Sequence, residues 1–176
     1  MSEAAAVTRA GPQGMVSLRG LPEALSGPVR AVTGFDLPGQ RSITGGFGGG
    51  AAWMSPDEFM LFCPHGAAAL LVAELTASLG TTHHLALDVS DARAGFAIDG
   101  PACRDVLAKL APVDLSQDAF GEGQIRRTRL AQVAAAFWMA GPELIQLVAF
   151  NSVAVYVEDL LRQAAQDGPL GFYSRT

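Results

Sequence analysis

Lysine is nearly missing from this 176-residue chain: Lys109 is the only one, against eleven arginines, a coding bias and not a chemical signal. Cysteine is scarce as well, and Cys63 and Cys103 have a spacing that fits neither a metal-ligand pattern nor a disulfide framework. Of the three histidines, His83 and His84 are adjacent, and adjacent strand residues point to opposite faces, so the pair does not converge on one metal. Charged residues make up only 16% of the chain and apolar residues 49%. No stretch reaches the roughly 18 uninterrupted apolar residues of a membrane helix, so the apolar surplus belongs to a large core or to a surface that a partner covers. Met1-Ser2-Glu3-Ala4-Ala5-Ala6 has neither the basic start nor the apolar run of a signal peptide, and with two unpaired thiols this points to the cytoplasm.

What charge there is lies unevenly. Residues 51–125 carry ten acids against three basic residues, while each flank is slightly positive, for a total of −5. An acidic middle argues against nucleic acid, whose phosphates need a positive field. Arg126, Arg127 and Arg129 form a small basic cluster, read either as a solvated strand start or as an ion-paired contact with another chain.

Composition divides the chain near residue 50. Residues 1–50 hold most of the glycine and several prolines, ending in Gly45-Gly46-Phe47-Gly48-Gly49-Gly50. They read as an extended arm with short strands and no compact helix, ordered against a partner. Residues 51–176 read as one α+β domain. Trp53-Met54 and Glu58–Phe62 form a hairpin turning at Ser55-Pro56-Asp57. Ala68, Leu71, Leu75 and Leu79 repeat at helical spacing before Gly80. Leu85, Leu87 and Val89 alternate like a strand with one buried face, and 94–98 is a second strand. A helix from Pro101 to Leu110 turns Cys103, Val106, Leu107 and Leu110 inward and Arg104, Asp105 and Lys109 outward. Residues 128–139 form one long strand or a bent pair, 144–150 a further strand, and a last helix capped by Asn151 or Ser152 carries Val157, Leu160, Leu161 and Ala164. The order predicts split β-α-β (ferredoxin-like) units, with helices packed on a mainly antiparallel sheet.

No arrangement of catalytic groups emerges. Gly46-Phe47-Gly48 leads into a hairpin instead of a helix, so it reads as a turn and not as a dinucleotide fingerprint. Cys63-Pro64-His65 sets a thiol near an imidazole with nothing to orient either, which marks Cys63 as a buried structural residue. Cys103 lies in a first helical turn, where the dipole lowers a thiol pKa, but its spacing with Val106 and Leu110 marks it as core. Asp88 and Asp91 flank Ser90 at a strand end, where such residues shape turns.

The order Asp88-Val89-Ser90, Gly100-Pro101, a helix to Leu110, Val113-Asp114-Leu115, Phe120 and then 127–138 resembles the folate-binding domain of the glycine-cleavage aminomethyltransferase. More closely, it looks like the gamma subunit of heterotetrameric sarcosine oxidase, a family that Trp53-x-Ser55-Pro56-Asp57-Glu58-Phe59 resembles in particular. The resemblance covers roughly residues 50–165 and rests on order and spacing. It implies an aminomethyltransferase-like α+β fold and a subunit that packs on the alpha subunit, beside beta and delta subunits. FAD, FMN, NAD and tetrahydrofolate are then held by those partners. In the aminomethyltransferases a carboxylate on the long strand pair works on the folate-bound one-carbon unit. Here no acid lies between Glu122 and Glu143, so the resemblance implies no catalytic, cofactor or metal residue in this chain. Trp53, Arg127, Arg129, Phe137 and Trp138 are the candidate partner contacts, with ordinary core as the alternative for the three aromatics. A free-standing folate-binding one-carbon protein and the small subunit of a related N-methyl amine dehydrogenase are the alternative functions.

Overall fold

A computed structural model describes residues 5–173. In chain order the strands and helices are β1 (Ala6–Arg9), β2 (Gln13–Arg19), α1 (Pro22–Thr33), β3 (Ile43–Gly46), β4 (Gly49–Ser55), β5 (Glu58–Pro64) and α2 (Ala68–Leu79). There follow β6 (Leu85–Asp88), β7 (Arg93–Asp99), α3 (Cys103–Ala108), β8 (Ile125–Leu130), β9 (Val133–Gly141), β10 (Leu144–Phe150) and α4 (Ala154–Gln166). The chain forms two units: Pro12–Asp91, and the residues from Ala92 onward joined by those up to Gly11.

In the Pro12–Asp91 unit the strand order is β3-β4-β5-β2-β6, antiparallel throughout. The connection β2-α1-β4 spans β5, and β5-α2-β6 spans β2, which is the split β-α-β plan with β3 added at one edge. Helices α1 and α2 pack on each other. Their inward residues Leu25, Val29, Leu75 and Leu79 meet Val16, Leu18, Phe59 and Leu61 from the strands in one buried cluster. Each such side chain contributes about 1.5–3 kcal/mol by leaving water.

The expectation of an extended arm without a helix is corrected here. Residue 50 lies inside β4, and residues 22–33 form α1. Pro22 stands at the helix start, where its missing N–H costs nothing, and Gly34 (φ 76°) ends the helix in the left-handed cap. Pro28 does sit inside, but Leu25 and Val29 are fully buried and hold the segment helical. The glycine run is the β3–β4 hairpin. Gly45 (φ 72°) would drive a Cβ to 2.2 Å from the Gly49 carbonyl, so that position requires glycine. Phe47 at the turn stands edge-on to Phe62, with centroids 5.7 Å apart.

The other unit repeats the plan. Its strand order is β1-β7-β10-β9-β8, again antiparallel, with β7-α3-β9 spanning β10 and β8 added at the edge. The strand that α4 would feed beside β7 is supplied instead by β1. That pairing orders the start of the chain on its own fold. Arg9 closes it, donating to Asn151 Oδ1 (3.2 Å) and lying 4.0 Å from Glu158. Phe96, Ile98, Val106, Leu107, Phe120, Phe137, Leu147, Val157 and Leu161 form its core. The corresponding strands β2 and β7 of the two units show the same succession of buried and exposed residues, and each is followed by a positive-φ glycine, Gly20 and Gly100.

Most of the expected elements stand. The Ser55–Asp57 hairpin, the helix ending at Gly80 and the strand at 94–98 are all present. Residues 125–141 form a hairpin, β8–β9, turning at Ala131-Gln132, and Ala131 takes φ 49°. Neither Asn151 nor Ser152 caps α4 with its side chain; both lie in a short 3₁₀ turn before it. The fold class is α+β with helices on antiparallel sheets, and no helix among the described residues is long and apolar enough to cross a membrane.

Candidate functional site

Two adjacent residues of α3 depart most from the expected pattern. Helical spacing places Arg104 and Asp105 outward, yet Arg104 is 8% exposed and Asp105 fully buried. The reason is that irregular segments close over this side of the short helix. Arg104 Nη1 donates to the carbonyls of Leu115 (2.6 Å) and Phe120 (2.7 Å), tying down the loop after α3. Asp105 Oδ1 accepts from the backbone N–H groups of Phe172 (3.1 Å) and Tyr173 (2.9 Å). Lys109 is the third correction. Its ammonium donates to Ala164 O (2.7 Å) and Gly168 O (2.5 Å), where the dipole of α4 is negative. The two charges of α3 and Lys109 just after it, solvent-facing by helical spacing, all hold this unit together.

Around this post lies a cavity of about 520 Å³, lined among others by Cys103, Arg104, Asp118, Glu143, Phe172 and Tyr173. Its cation is already engaged with two carbonyls, and no buried side-chain nitrogen or oxygen among the described residues lacks a hydrogen-bond partner. Burial pushes the Cys103 thiol up to about 11, with the Arg104 charge opposing and Glu143 and Asp99 adding to the rise. Burial, then the Asp88 charge, raises the Cys63 thiol too. A thiol held protonated is a poor nucleophile. We expect neither cysteine to react with a thiol reagent at pH 8 in the folded chain, and both to react in denaturant. Rapid labelling of native protein would refute this. A thiol pKa raised by folding means tighter proton binding in the folded state. The stability from Cys103 is therefore complete below its ordinary 9.0 and is lost as the pH climbs towards 11.

The acid pair around Ser90 is a turn, as its residue types suggest. Asp88 Oδ1 accepts from Ser90 Oγ (2.5 Å) and Ser90 N (3.0 Å), and these bonds hold its carboxyl below the usual range. Ser90 Oγ in turn accepts from Met15 N, and His65 lies 3.5 Å from Asp91. No group of three or more His, Cys, Asp or Glu side chains among the described residues is placed to hold a metal.

The five residues singled out as partner contacts are dispersed. Phe137 and Trp138 have no exposed surface; Phe137 meets Phe120 edge-on at 5.7 Å, and Trp138 Nε1 donates to Gln146 Oε1 (3.2 Å). Trp53 is half-buried against the core of its unit. Arg127 and Arg129 are exposed on the edge strand β8, beside Ala136 and Ala134. Arg126, their neighbour, is drawn back to its own chain, donating to Ala119 O and Gln124 Oε1 and lying over Phe120. Sequence reasoning missed an apolar surface. Leu85 and Leu87, expected inward, are 51% and 53% exposed, because β6 turns Ala86 to the core instead.

The architecture is similar to the glycine cleavage system aminomethyltransferase T from Bartonella henselae, at TM-score 0.65 and 19% identity, over 93% of this chain and 49% of that one. That likeness defines the class: an aminomethyltransferase-like α+β chain. A chain of heterotetrameric sarcosine oxidase from Corynebacterium sp. U-96 superimposes at TM-score 0.86 with 26% identity, covering 100% of this chain and 89% of that one. A sarcosine oxidase subunit gamma from Corynebacterium sp. (strain P-1) is 35% identical over 154 residues, 80% of this chain and 75% of the relative. The model of the sarcosine oxidase gamma subunit family matches residues 21–167. This chain belongs to that family.

Proposed function

We propose that this chain is a non-catalytic subunit of a heterotetrameric sarcosine oxidase, serving its assembly by packing against the alpha subunit. In this reading the complex, with its beta and delta subunits, demethylates sarcosine oxidatively to glycine, and FAD, FMN, NAD and tetrahydrofolate reside in the partners. The observation that carries it is that the strand pair of the aminomethyltransferase-like fold keeps its place while its interior is apolar. β9 buries Ala135, Ala136, Phe137, Trp138 and Met139, and no acid stands between Glu122 and Glu143. General acid–base work needs a group that can exchange a proton within reach of the reacting atom, and this strand pair holds no carboxylate, imidazole, thiol, amine or phenol. Trp53, Arg127 and Arg129 remain the proposed partner-facing residues, since each retains surface.

Co-expression with the alpha subunit, followed by sizing chromatography at protein and flavin wavelengths, tests the reading. Co-elution with a flavin-bearing complex is expected. A monomer that ignores alpha but binds tetrahydrofolate would overturn it in favour of a free-standing folate-binding protein.

A further inference from the structure

We propose that the β6 edge of the Pro12–Asp91 unit receives an extended segment of another subunit, which adds to the sheet as a further strand. The inference rests on the subunit reading above and names a surface for it. Among the described residues β6 is a terminal strand, paired on one side only, to β2. Leu85 and Leu87 alternate with Ala86, which packs toward the core, so both leucines share the opposite face of the sheet. There they lie beside Arg19 and Ser17 of β2.

The repeat within the chain supplies an internal control. β1 occupies the same position in the other sheet: Ala6, Val7 and Thr8 pair with Asp99, Ile98 and Ala97, as Leu85, Ala86 and Leu87 pair with Arg19, Leu18 and Ser17. Val7 and Ala86 both face inward. At the two outward positions the edge of β1 carries alanine and threonine, where β6 carries two leucines. The fold therefore does not require leucine there. Exposed leucines alternating along an edge suit strand addition, in which main-chain bonds give affinity and alternate side chains give specificity.

Charge selects the occupant. Asp88 ends β6, Asp91 follows it beside His65, and Glu58 and Asp57 lie across Arg19, so the strand and its neighbours carry four carboxylates against one guanidinium, with His83 and His84 just before Leu85. A second copy of this chain would bring the same acids to the contact, and like charges disfavour that pairing. The complementary segment is apolar at alternate positions and basic at its ends.

The test is assembly with the other subunits using a Leu85→Ala/Leu87→Thr double variant, which installs the residues of the β1 edge, with amide exchange of the wild-type complex alongside. The variant should keep the melting temperature of the isolated chain, since exposed substitutions are nearly neutral. Its affinity for the other subunits should fall by about tenfold or more. Wild-type amides of 85–88 should exchange at least about tenfold more slowly in the complex than in the free chain. Asp91→Lys should weaken assembly and flatten its salt dependence. Equal affinity of the double variant together with unchanged exchange would overturn the proposal while leaving the subunit reading intact. Failure of the wild-type chain to assemble would remove the subunit reading itself. Protection of 85–88 in a concentration-dependent dimer of this chain alone would identify a second copy as the occupant and overturn the proposal.

Discussion

Trp138→Ala is expected to destabilise the isolated chain by about 3–5 kcal/mol, the range for emptying an aromatic from a packed interior. The ring has no exposed surface, stands on β9 opposite Ile125 of β8 and Gln146 of β10, and donates its indole N–H to Gln146 Oε1. Alanine would leave a cavity and a part-buried amide oxygen without its donor. Trp138→Phe should cost less, since most of the volume stays and the lost hydrogen bond is worth about 1 kcal/mol, with a further penalty for the unpaired acceptor. Thermal unfolding of the chain without partners decides between core and anchor. A core tryptophan lowers the melting temperature by roughly 10 °C. An anchor for another subunit would leave the isolated chain unchanged and weaken only assembly. The same scan on Phe137→Ala should follow the core pattern, because Phe137 closes on Phe120 in the interior.

How far the residues alone disclose this structure depends on which force decides each element. Where burial follows a period, the reading succeeds: Ala68, Leu75 and Leu79 face the core from α2, and Ser55-Pro56-Asp57 turns a hairpin because Ser55 Oγ bonds Asp57 in the tight bend. Where a tertiary contact overrules local preference, it fails. Gly27 and Pro28 argue against a helix, yet two buried side chains secure α1. Ala131 gives no hint of a turn, since alanine rarely takes φ 49°; the register of β8 against β9 imposes it. Arg104 and Asp105 look like solvent residues because helical periodicity says nothing about loops that fold back over a short helix. Leu85 and Leu87 look like core because alternation fixes two faces without saying which one is inside. The absence of an acid from the long strand pair was visible at once, since absence needs no geometry. The β6 surface became visible only when two sheets of one plan could be compared position by position.

Breaking the α3 post should loosen two different segments. Asp105→Ala is expected to cost about 3 kcal/mol or more, because it removes a buried carboxylate and leaves the Phe172 and Tyr173 N–H groups without their acceptor. Both bonds end on Oδ1, so Asp105→Asn can keep them through its amide oxygen and should recover much of the loss. Arg104→Met keeps apolar bulk but strands the Leu115 and Phe120 carbonyls, at a similar cost. Limited proteolysis separates the two effects. Asp105→Ala should open the chain beyond α4, and Arg104→Met should open the loop between α3 and β8. Both variants should bring the Cys103 thiol, beside them on the cavity wall, within reach of a thiol reagent. A purely electrostatic role at a ligand site would give the reverse pattern, with an unchanged melting temperature, a silent thiol and an altered binding isotherm. Arginine at 104 thus works on its own backbone: its guanidinium meets the polar demand of a loop that bends over the helix, and this is how a charged side chain stands buried where helical spacing alone asks for solvent.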